Sequence, residues 1–350
     1  MKGVLIGNRL IGEDTSVFII AELSANHNQN LDVAHATIDA AARAGADAIK
    51  LQTYTAETIT LRSKKDFFLV KGGTAWDGEY LFELYEKAHT PWEWHKELFD
   101  HAKEVGLISF SSPFDPTAVR FLEDLEVPAF KIASFEITDL PLIEMVARTG
   151  KPIIISTGIA RIEEIEAAVQ LCRSVGNEQI VLLKCTSAYP TPLQELNLRT
   201  IPDFANRFKC LVGLSDHTTT HTAPQIAVAL GASVIEKHFI LDRTAGGPDS
   251  SFSLEPNEFA EMVRLVRDAE SSLGKISYDL TPGALISRAH ARSLFVVLDV
   301  KAGEQISQEN VRSIRPADGL SPIEMSNIVG KRFKRPISAG EPLDWEMFEG

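Results

Sequence analysis

The chain has 350 residues, of which 44% are hydrophobic and 24% charged. That balance excludes a disordered or fibrous polymer, and the length suits one large domain with a small one beside it. Thirty-five basic residues against 48 acidic ones give a formal charge of −13. Nucleic acid and anionic membranes are therefore poor partners, because their phosphates would be repelled.

The N-terminus, MKGVLIGNRL, interrupts its few apolar residues with Gly7, Asn8 and Arg9. It reads as neither a signal peptide nor a membrane segment, and no later apolar run is long enough to span a bilayer. From there, short apolar runs alternate with amphipathic helical patterns. Strands are predicted at 17–24, 48–53, 107–113, 129–134, 152–157, 180–186, 211–217 and 234–240. Helices are predicted between them, at 31–44, 91–105, 161–175 and 219–230 among others, with Gly45, Gly106 and Gly231 as C-caps. Continuous rather than alternating apolar strands are what parallel strands covered on both faces require. Eight such units in about 275 residues match a (β/α)8 TIM barrel, with a doubly wound sheet as the alternative. Residues 54–90 separate the second strand from its helix, a length expected of a lid or a substrate-contacting loop.

The pattern changes after Gly274. The expected division is a barrel of residues 1–275, a polar linker at 276–288 holding Pro282 and Gly283, and a small domain at 289–350. The last shows strand-like runs, SLFVVLDV and VRSIRP, and a pseudo-repeat, VKAGEQI beside ISAGEPL. It carries 8 basic and 9 acidic residues, so the barrel holds nearly all the negative charge. Cys172, Cys185 and Cys210 lack C-x-x-C spacing. They read as free thiols or small buried apolar groups of a cytoplasmic protein.

In a TIM barrel the chemistry sits at the C-terminal ends of the strands. Here those ends carry Glu22, Ser24, Lys50, Gln52, Ser111, Lys131, Ser134, Ser156, Lys184, Ser187, Ser215, His217, Glu236, Lys237 and His238. At least three cations and many hydroxyls are expected to converge on one mouth. Strand alternation puts Glu22 with Ser24, Lys50 with Gln52, Ser215 with His217, and Glu236 with His238. If these faces point inward, His217 and His238 end neighbouring strands and reach one ion; otherwise they are structural hydrogen-bonding histidines. His27 is the one other histidine near such a site. Inward lysines require anions, so Lys50 and Lys131 among serines suggest a seat for a phosphate and a carboxylate. A lysine Schiff base is the competing chemistry, and outward snorkelling the structural alternative. Ser134 breaks parity with Lys131, so that strand is expected to end or bend first.

IAELSANHN, AIKLQT, FSSPFD, FKIASFEITD, ISTGIA, CTSAYPTP, GLSDHT, EKHF and GGPDSSFSLEP occur in this order along the chain. Together they resemble the sialic acid synthase family, and most closely its pseudaminic acid synthase branch. The tail, with RSLFVVLDVKAGE and RPISAGEPL, is similar to that family's antifreeze-like (SAF) domain. The resemblance implies condensation of phosphoenolpyruvate with an open-chain N-acyl amino sugar, giving a nine-carbon 2-keto acid and phosphate. It implies a divalent ion, manganese or else magnesium or cobalt, on His217 and His238. Glu22 matches a carboxylate that handles protons at the reacting sugar. Lys50, Gln52, Ser111, Lys131, Ser134, Ser156, Ser187, Tyr189, Ser215, Glu236 and Asp249 match substrate-site positions, with Ser111 standing where the sialic acid branch usually has Thr. Arg292 matches an arginine that reaches a neighbouring barrel in a swapped homodimer, and a 14-residue linker, 275–288, spans at most ~50 Å.

The branch resemblance implies 2,4-diacetamido-2,4,6-trideoxy-L-altrose as the sugar and pseudaminic acid as the product. It rests on LSANHN, the WDG and TPWEW segments, SFEITD, and Ser250 where the sialic acid branch usually shows His. Trp76, Trp92, Trp94, Phe114 and Phe135 are candidates to meet the 6-deoxy methyl, although Trp92 and Trp94 also suit plain helix packing. N-acetylneuraminic or legionaminic acid synthesis is the enzymatic alternative. An inactive barrel bearing a glycan- or ice-binding module is the non-enzymatic one.

Overall fold

The computed structural model describes residues 3–12, 14–73 and 76–349. A hairpin of β1 (Val4–Ile6) and β2 (Arg9–Ile11) precedes eight barrel strands. These are β3 (Phe18–Glu22), β4 (Ala48–Thr53), β5 (Ile108–Pro113), β6 (Phe130–Ile132), β7 (Ile153–Ser156), β8 (Ile180–Cys185), β9 (Leu211–Asp216) and β10 (Val234–His238). They run parallel in chain order, and β10 closes on β3 to complete the barrel. Each of the eight expected strands is present, most of them shorter by a residue or two at the ends, where paired backbone gives way to turns.

The barrel core is built as the apolar runs require. Ile19, Ile20, Ile49, Phe110, Phe130, Ile154, Leu182 and Ile235 have no exposed surface. Some helices start on side-chain caps: Asn30 accepts from the amides of Asp32 and Val33, and Asp115 from those of Thr117 and Ala118. At the end of the first helix, Gly45 takes φ +87°, the left-handed C-cap expected of it.

The hairpin is an element that the sequence analysis did not anticipate. Ile6 and Ile11 are fully buried in the barrel core cluster. Arg9 pairs with Asp47 and donates to the Ser16 and Val17 carbonyls, at the N-terminal end of the barrel. Asp47 also accepts from the Ile19 amide and from Arg267. The hairpin therefore closes the end opposite the expected chemistry.

Residues 1–274 and 275–350 form two separate compact units. Within the segment expected to be a linker, Pro282–Arg288 is helical, with Thr281 capping the Ala284 amide and Pro282 in the first turn. Polarity and Gly283 had masked that cap. The second unit pairs β11 (Ser293–Val296) with β12 (Val311–Ile314) over a core of Leu294, Val296, Val311, Ile328, Phe333 and Phe348 among others. Its pseudo-repeat is structural. The equivalent residues Val300 and Ile337 exchange both backbone hydrogen bonds, at 2.9 and 3.1 Å. Gly303 and Gly340 turn the chain at φ +79° and +97°.

One ion pair on the barrel's outer wall is fully buried: Lys237 Nζ lies 2.8 Å from Asp216 Oδ2, and both side chains have no exposed surface. The ammonium also donates to the Thr218 carbonyl. Lys237→Met leaves the aspartate charged, dry and unpaired, and should cost about 3–5 kcal/mol in urea unfolding. Adding Asp216→Asn should recover part of that loss; no measurable loss in the single variant would show that water reaches the pair.

Candidate active site

The register decides which side chains face the barrel interior. Directly paired residues of neighbouring strands share a face, and Glu22 pairs with Lys50, Gln52 with Ser112, Cys185 with Ser215, and Ser215 with Glu236. Glu22 and His238 are also partners across the closing seam. This one face therefore collects carboxylates, ammonium groups, hydroxyls and imidazoles from all eight strands or their ends.

At its centre are four charged groups, each at most 4% exposed. Lys50 Nζ lies 2.5 Å from Glu22 and 3.8 Å from Glu236, and Lys131 Nζ lies 3.4 Å from Glu236. The two carboxylates are driven apart. Burial lifts Glu22 to about 7 against the pull of Lys50. Burial also penalises Glu236, but Lys131 and Lys50 outweigh it and hold that carboxyl below its ordinary value. Lys131 is lowered, by burial first. Desolvation acts likewise on Lys50, but Glu22 and Glu236 overcome it and leave the ammonium raised. One carboxyl is thus a stable anion, and the other can gain or lose a proton near neutrality.

Around this cluster, Gln52 donates to Glu22 at 3.0 Å and to Ser24 at 2.9 Å. Ser24, at φ +50°, donates in turn to Asp249. Ser215 donates to Glu236 at 3.1 Å. Ser134 accepts from Ser187 at 3.0 Å and from the Ile159 amide at 3.1 Å, while Ser156 Oγ is buried with no hydrogen-bond partner. A Cβ at Gly158 would overlap the Ser187 and Ser134 hydroxyls, so only glycine leaves this edge of the mouth open. As expected, β6 ends before Ser134, which opens a short 3-10 turn.

Two expectations need correction. Ser111 faces outward, bonded to Thr53 at 2.6 Å, and Thr53 in turn meets His95. The next residue, Ser112, takes the inward place and accepts from Lys50 at 3.3 Å. Lys184 and Lys237 also lie on outward positions; the first reaches the Cys185 carbonyl and the second pairs with Asp216. Two ammonium groups, not three, therefore enter the mouth from the strand ends. Arg292 lies in the second unit and donates to the Ser313 carbonyl at 2.9 Å.

His217 and His238 come together, with ring centroids 5.3 Å apart. His217 Nδ1 lies 3.2 Å from the Thr186 carbonyl, which can only accept, so this nitrogen carries the proton and Nε2 offers its lone pair. His238 Nδ1 is buried without a hydrogen-bond partner, 3.8 Å from Asp249. Burial lowers His217 to about 4 and holds His238 well below its ordinary value, so both rings are neutral donors at pH 7. An oriented imidazole and an unpartnered one fit a divalent ion. Among the described residues no three His, Cys, Asp or Glu side chains make a closed cage. The pair would leave most of a coordination sphere to water and substrate. His27 is not part of it: its ring nitrogens meet the Gln29 amide and Thr90.

Of the five aromatic candidates, Trp76 packs against the site. Its ring lies 5.4 Å from Tyr189, which lies 4.5 Å from His217. Phe252, which the sequence reading passed over, backs Tyr189 and His238 at 5.0 and 4.9 Å. Trp92 stacks on Phe121 and Trp94 meets His27, so both pack the helix side; Phe114 packs on Tyr54, and Phe135 is exposed. Cys185 was also passed over. It faces inward with its thiol 3.9 Å from His217 Nδ1, and its parity with Ser215 was the available signal.

Residues 37–278 match the NeuB family, and residues 291–349 match the SAF domain. The chain belongs to the NeuB family. It is 48% identical to a pseudaminic acid synthase of Campylobacter jejuni, covering 98% of this chain and 99% of that one. A pseudaminic acid synthase of Helicobacter pylori is 47% identical, over 95% and 97% of the two chains. The crystal structure of an N-acetylneuraminic acid (sialic acid) synthetase from Leptospira borgpetersenii serovar Hardjo-bovis, in complex with citrate, superposes with a TM-score of 0.73 at 31% identity. That match covers 82% of this chain and 95% of the other. The fold and family implied by the ordered motifs are thus those of the chain. No helix among the described residues is long and apolar enough to cross a membrane.

Glu136, in the turn that Ser134 opens, is a further charged group that the sequence reading missed. Its Oε2 is buried with no hydrogen-bond partner, and burial raises its pKa from 4.5 to about 7. Between those values the folded chain binds more protons here than the unfolded one, so stability falls as pH rises through the window. Glu136→Gln removes this slope. Urea unfolding at pH 4.5 and 7.5 should show the parent losing roughly 3 kcal/mol more than the variant across the interval.

Proposed function

We propose that this chain is a pseudaminic acid synthase, condensing phosphoenolpyruvate with 2,4-diacetamido-2,4,6-trideoxy-L-altrose. The observation that carries this reading is one mouth holding two buried ammonium groups beside two neutral imidazoles. The chain around that mouth is 48% identical to a named pseudaminic acid synthase along nearly its full length. The interior polarity also speaks against an inactive barrel carrying a glycan- or ice-binding tail, since such burial has no structural use there.

The chain's own residues account for most of the chemistry. Lys50 and Lys131 receive the carboxylate and phosphate of phosphoenolpyruvate, with Ser112, Ser134, Ser156 and Ser187 donating around them. Tyr189, Ser215, Gln52 and Asp249 line the path of the sugar. C3 of phosphoenolpyruvate attacks the aldehyde carbon, water adds at C2, and phosphate leaves with C–O cleavage. Glu22, near neutrality in its titration, carries the proton at the reacting sugar. Holding two reactants in line supplies ~7–11 kcal/mol, more than a single acid–base group provides. His217 and His238 would hold a divalent ion, which when bound would supply Lewis-acid polarisation to an aldehyde oxygen.

Offering phosphoenolpyruvate, a divalent ion and either sugar, with products read by mass spectrometry, tests the substrate. The diacetamido sugar should be favoured by ~10–200-fold in kcat/KM over N-acetylmannosamine. The reverse preference would sink the branch while leaving the synthase. Chelation should abolish turnover and manganese, magnesium or cobalt should restore it. Full activity of His217→Ala in chelator would instead return Lys131 to Schiff-base chemistry.

The homodimer completed in trans by Arg292, and a cytoplasmic location, belong to the same proposal. Arg292 is exposed, in keeping with an outside partner. Mixing inactive Arg292→Ala with inactive Glu22→Ala chains should restore part of the turnover. Absence of recovery after demonstrated exchange would place the whole site in one chain.

A further inference from the structure

The mouth has one wall without charge. From His217 the aromatic contacts run through Tyr189 at 4.5 Å and on to Trp76 at 5.4 Å, with fully buried Phe252 behind them. Trp76 stands on the long excursion between β4 and its helix, far in sequence from the strand ends, yet it packs on a ring that touches an imidazole. Its indole N–H donates to the Pro248 carbonyl at 2.8 Å. Its one ring donor is thus engaged with the backbone, and its carbon surface meets Tyr189 and Phe252.

A sugar whose aldehyde carbon lies beside His217 and His238 is an open chain of six carbons. With bonds of ~1.5 Å it extends roughly 6 Å. Laid along this aromatic wall, a chain of that length would pass Tyr189 and point its last carbon toward Trp76. A methyl there meets an aromatic surface, whereas a hydroxyl would lose water against a ring with no donor or acceptor to spare. We propose that Trp76 is a specificity residue, selecting sugars whose far carbon is a deoxy methyl over those ending in a hydroxymethyl. The selection rests on the synthase reading above. It acts on binding of the sugar rather than on bond making, because Trp76 meets the site through the rings of Tyr189 and Phe252.

The test compares kcat/KM for 2,4-diacetamido-2,4,6-trideoxy-L-altrose and N-acetylmannosamine in the parent, Trp76→Ala and Trp76→Phe. In Trp76→Ala the preference should shrink by about tenfold or more. The loss should appear in KM for the deoxy sugar, with kcat and KM for phosphoenolpyruvate little changed. Trp76→Phe, which restores an aromatic face, should recover part of the preference. A general structural role would instead depress both sugars and phosphoenolpyruvate together. Fluorescence gives a second readout: the deoxy sugar should perturb the parent's tryptophan emission, and that response should be lost in Trp76→Phe. An unchanged sugar ratio in Trp76→Ala, with the parent active, overturns the role of Trp76. A parent that turns over neither sugar overturns the synthase reading itself.

Discussion

Two ammonium groups and two carboxylates share a space that water scarcely enters, and the rest of the barrel mouth is arranged around making that tolerable. An isolated buried lysine would surrender its proton or unfold its surroundings. Here each lysine has a carboxylate within 3.4 Å, and each carboxylate has a hydroxyl or amide donor as well. The arrangement is neutral as a whole but unequal within. Glu236 sits between both ammonium groups and stays ionised, while Glu22 is the member that can release its charge near pH 7. An arriving anion competes for the lysines with these carboxylates. The competition is cheapest where the displaced carboxylate can take up a proton. Proton handling and anion binding therefore meet at the same residue for an electrostatic reason.

The alternation of strand side chains divides polar residues into two populations with different work. Inward groups make the site. Outward ones, such as Asp216–Lys237 and the Ser111–Thr53–His95 chain, tie strands to the helices or loops that cover them. Asp216 lies between Ser215 and His217, and Lys237 between Glu236 and His238. The outer ion pair thus ties together the two strands whose inner faces carry both imidazoles. Breaking it would loosen the wall before it altered any group of the site.

Most of this was legible where alternation could be counted from an unambiguous apolar neighbour. Ala48 to Gln52 fixes the phase of Lys50, and Val234 to His238 does the same for Glu236. The run ISFSSP offers adjacent serines, and nothing within it says which one faces in. Pairing across the strands settles it, because Ser112 lies beside Gln52 and Ser111 beside Leu51. The strand-end reading and the resemblance had both chosen the outward hydroxyl. Lys184 and Lys237 teach the same lesson, since proximity to a strand end was taken for direction. The hairpin strands, of three residues each, are too short for periodicity to register, and their two buried isoleucines could equally have been loop anchors. The helix at Pro282–Arg288 is different: Thr281 and Pro282 were its cap and first turn, and the signal was present but outweighed by Gly283.

Aromatic residues on the long excursion resisted sequence reading for another reason. Trp92 and Trp94 stand in the turn that leads into a helix, and they pack on Phe121 and His27 of the neighbouring elements. Trp76 has no helical neighbours to satisfy it, and its partners, Pro248, Tyr189 and Phe252, come from more than a hundred residues away. Such contacts depend on how the loops after β8 and β10 meet the excursion after β4. Barrel closure brings those loops over one mouth. The chemistry of this barrel is carried by strand ends whose positions follow from hydrogen-bond register. Its discrimination between sugars is assigned to a loop residue held in part by a hydrogen bond to the Pro248 carbonyl and by aromatic contacts. The first can hardly change without losing the barrel, whereas the second can be replaced without disturbing a strand. A fold divided in this way can keep one reaction while its sugar is altered.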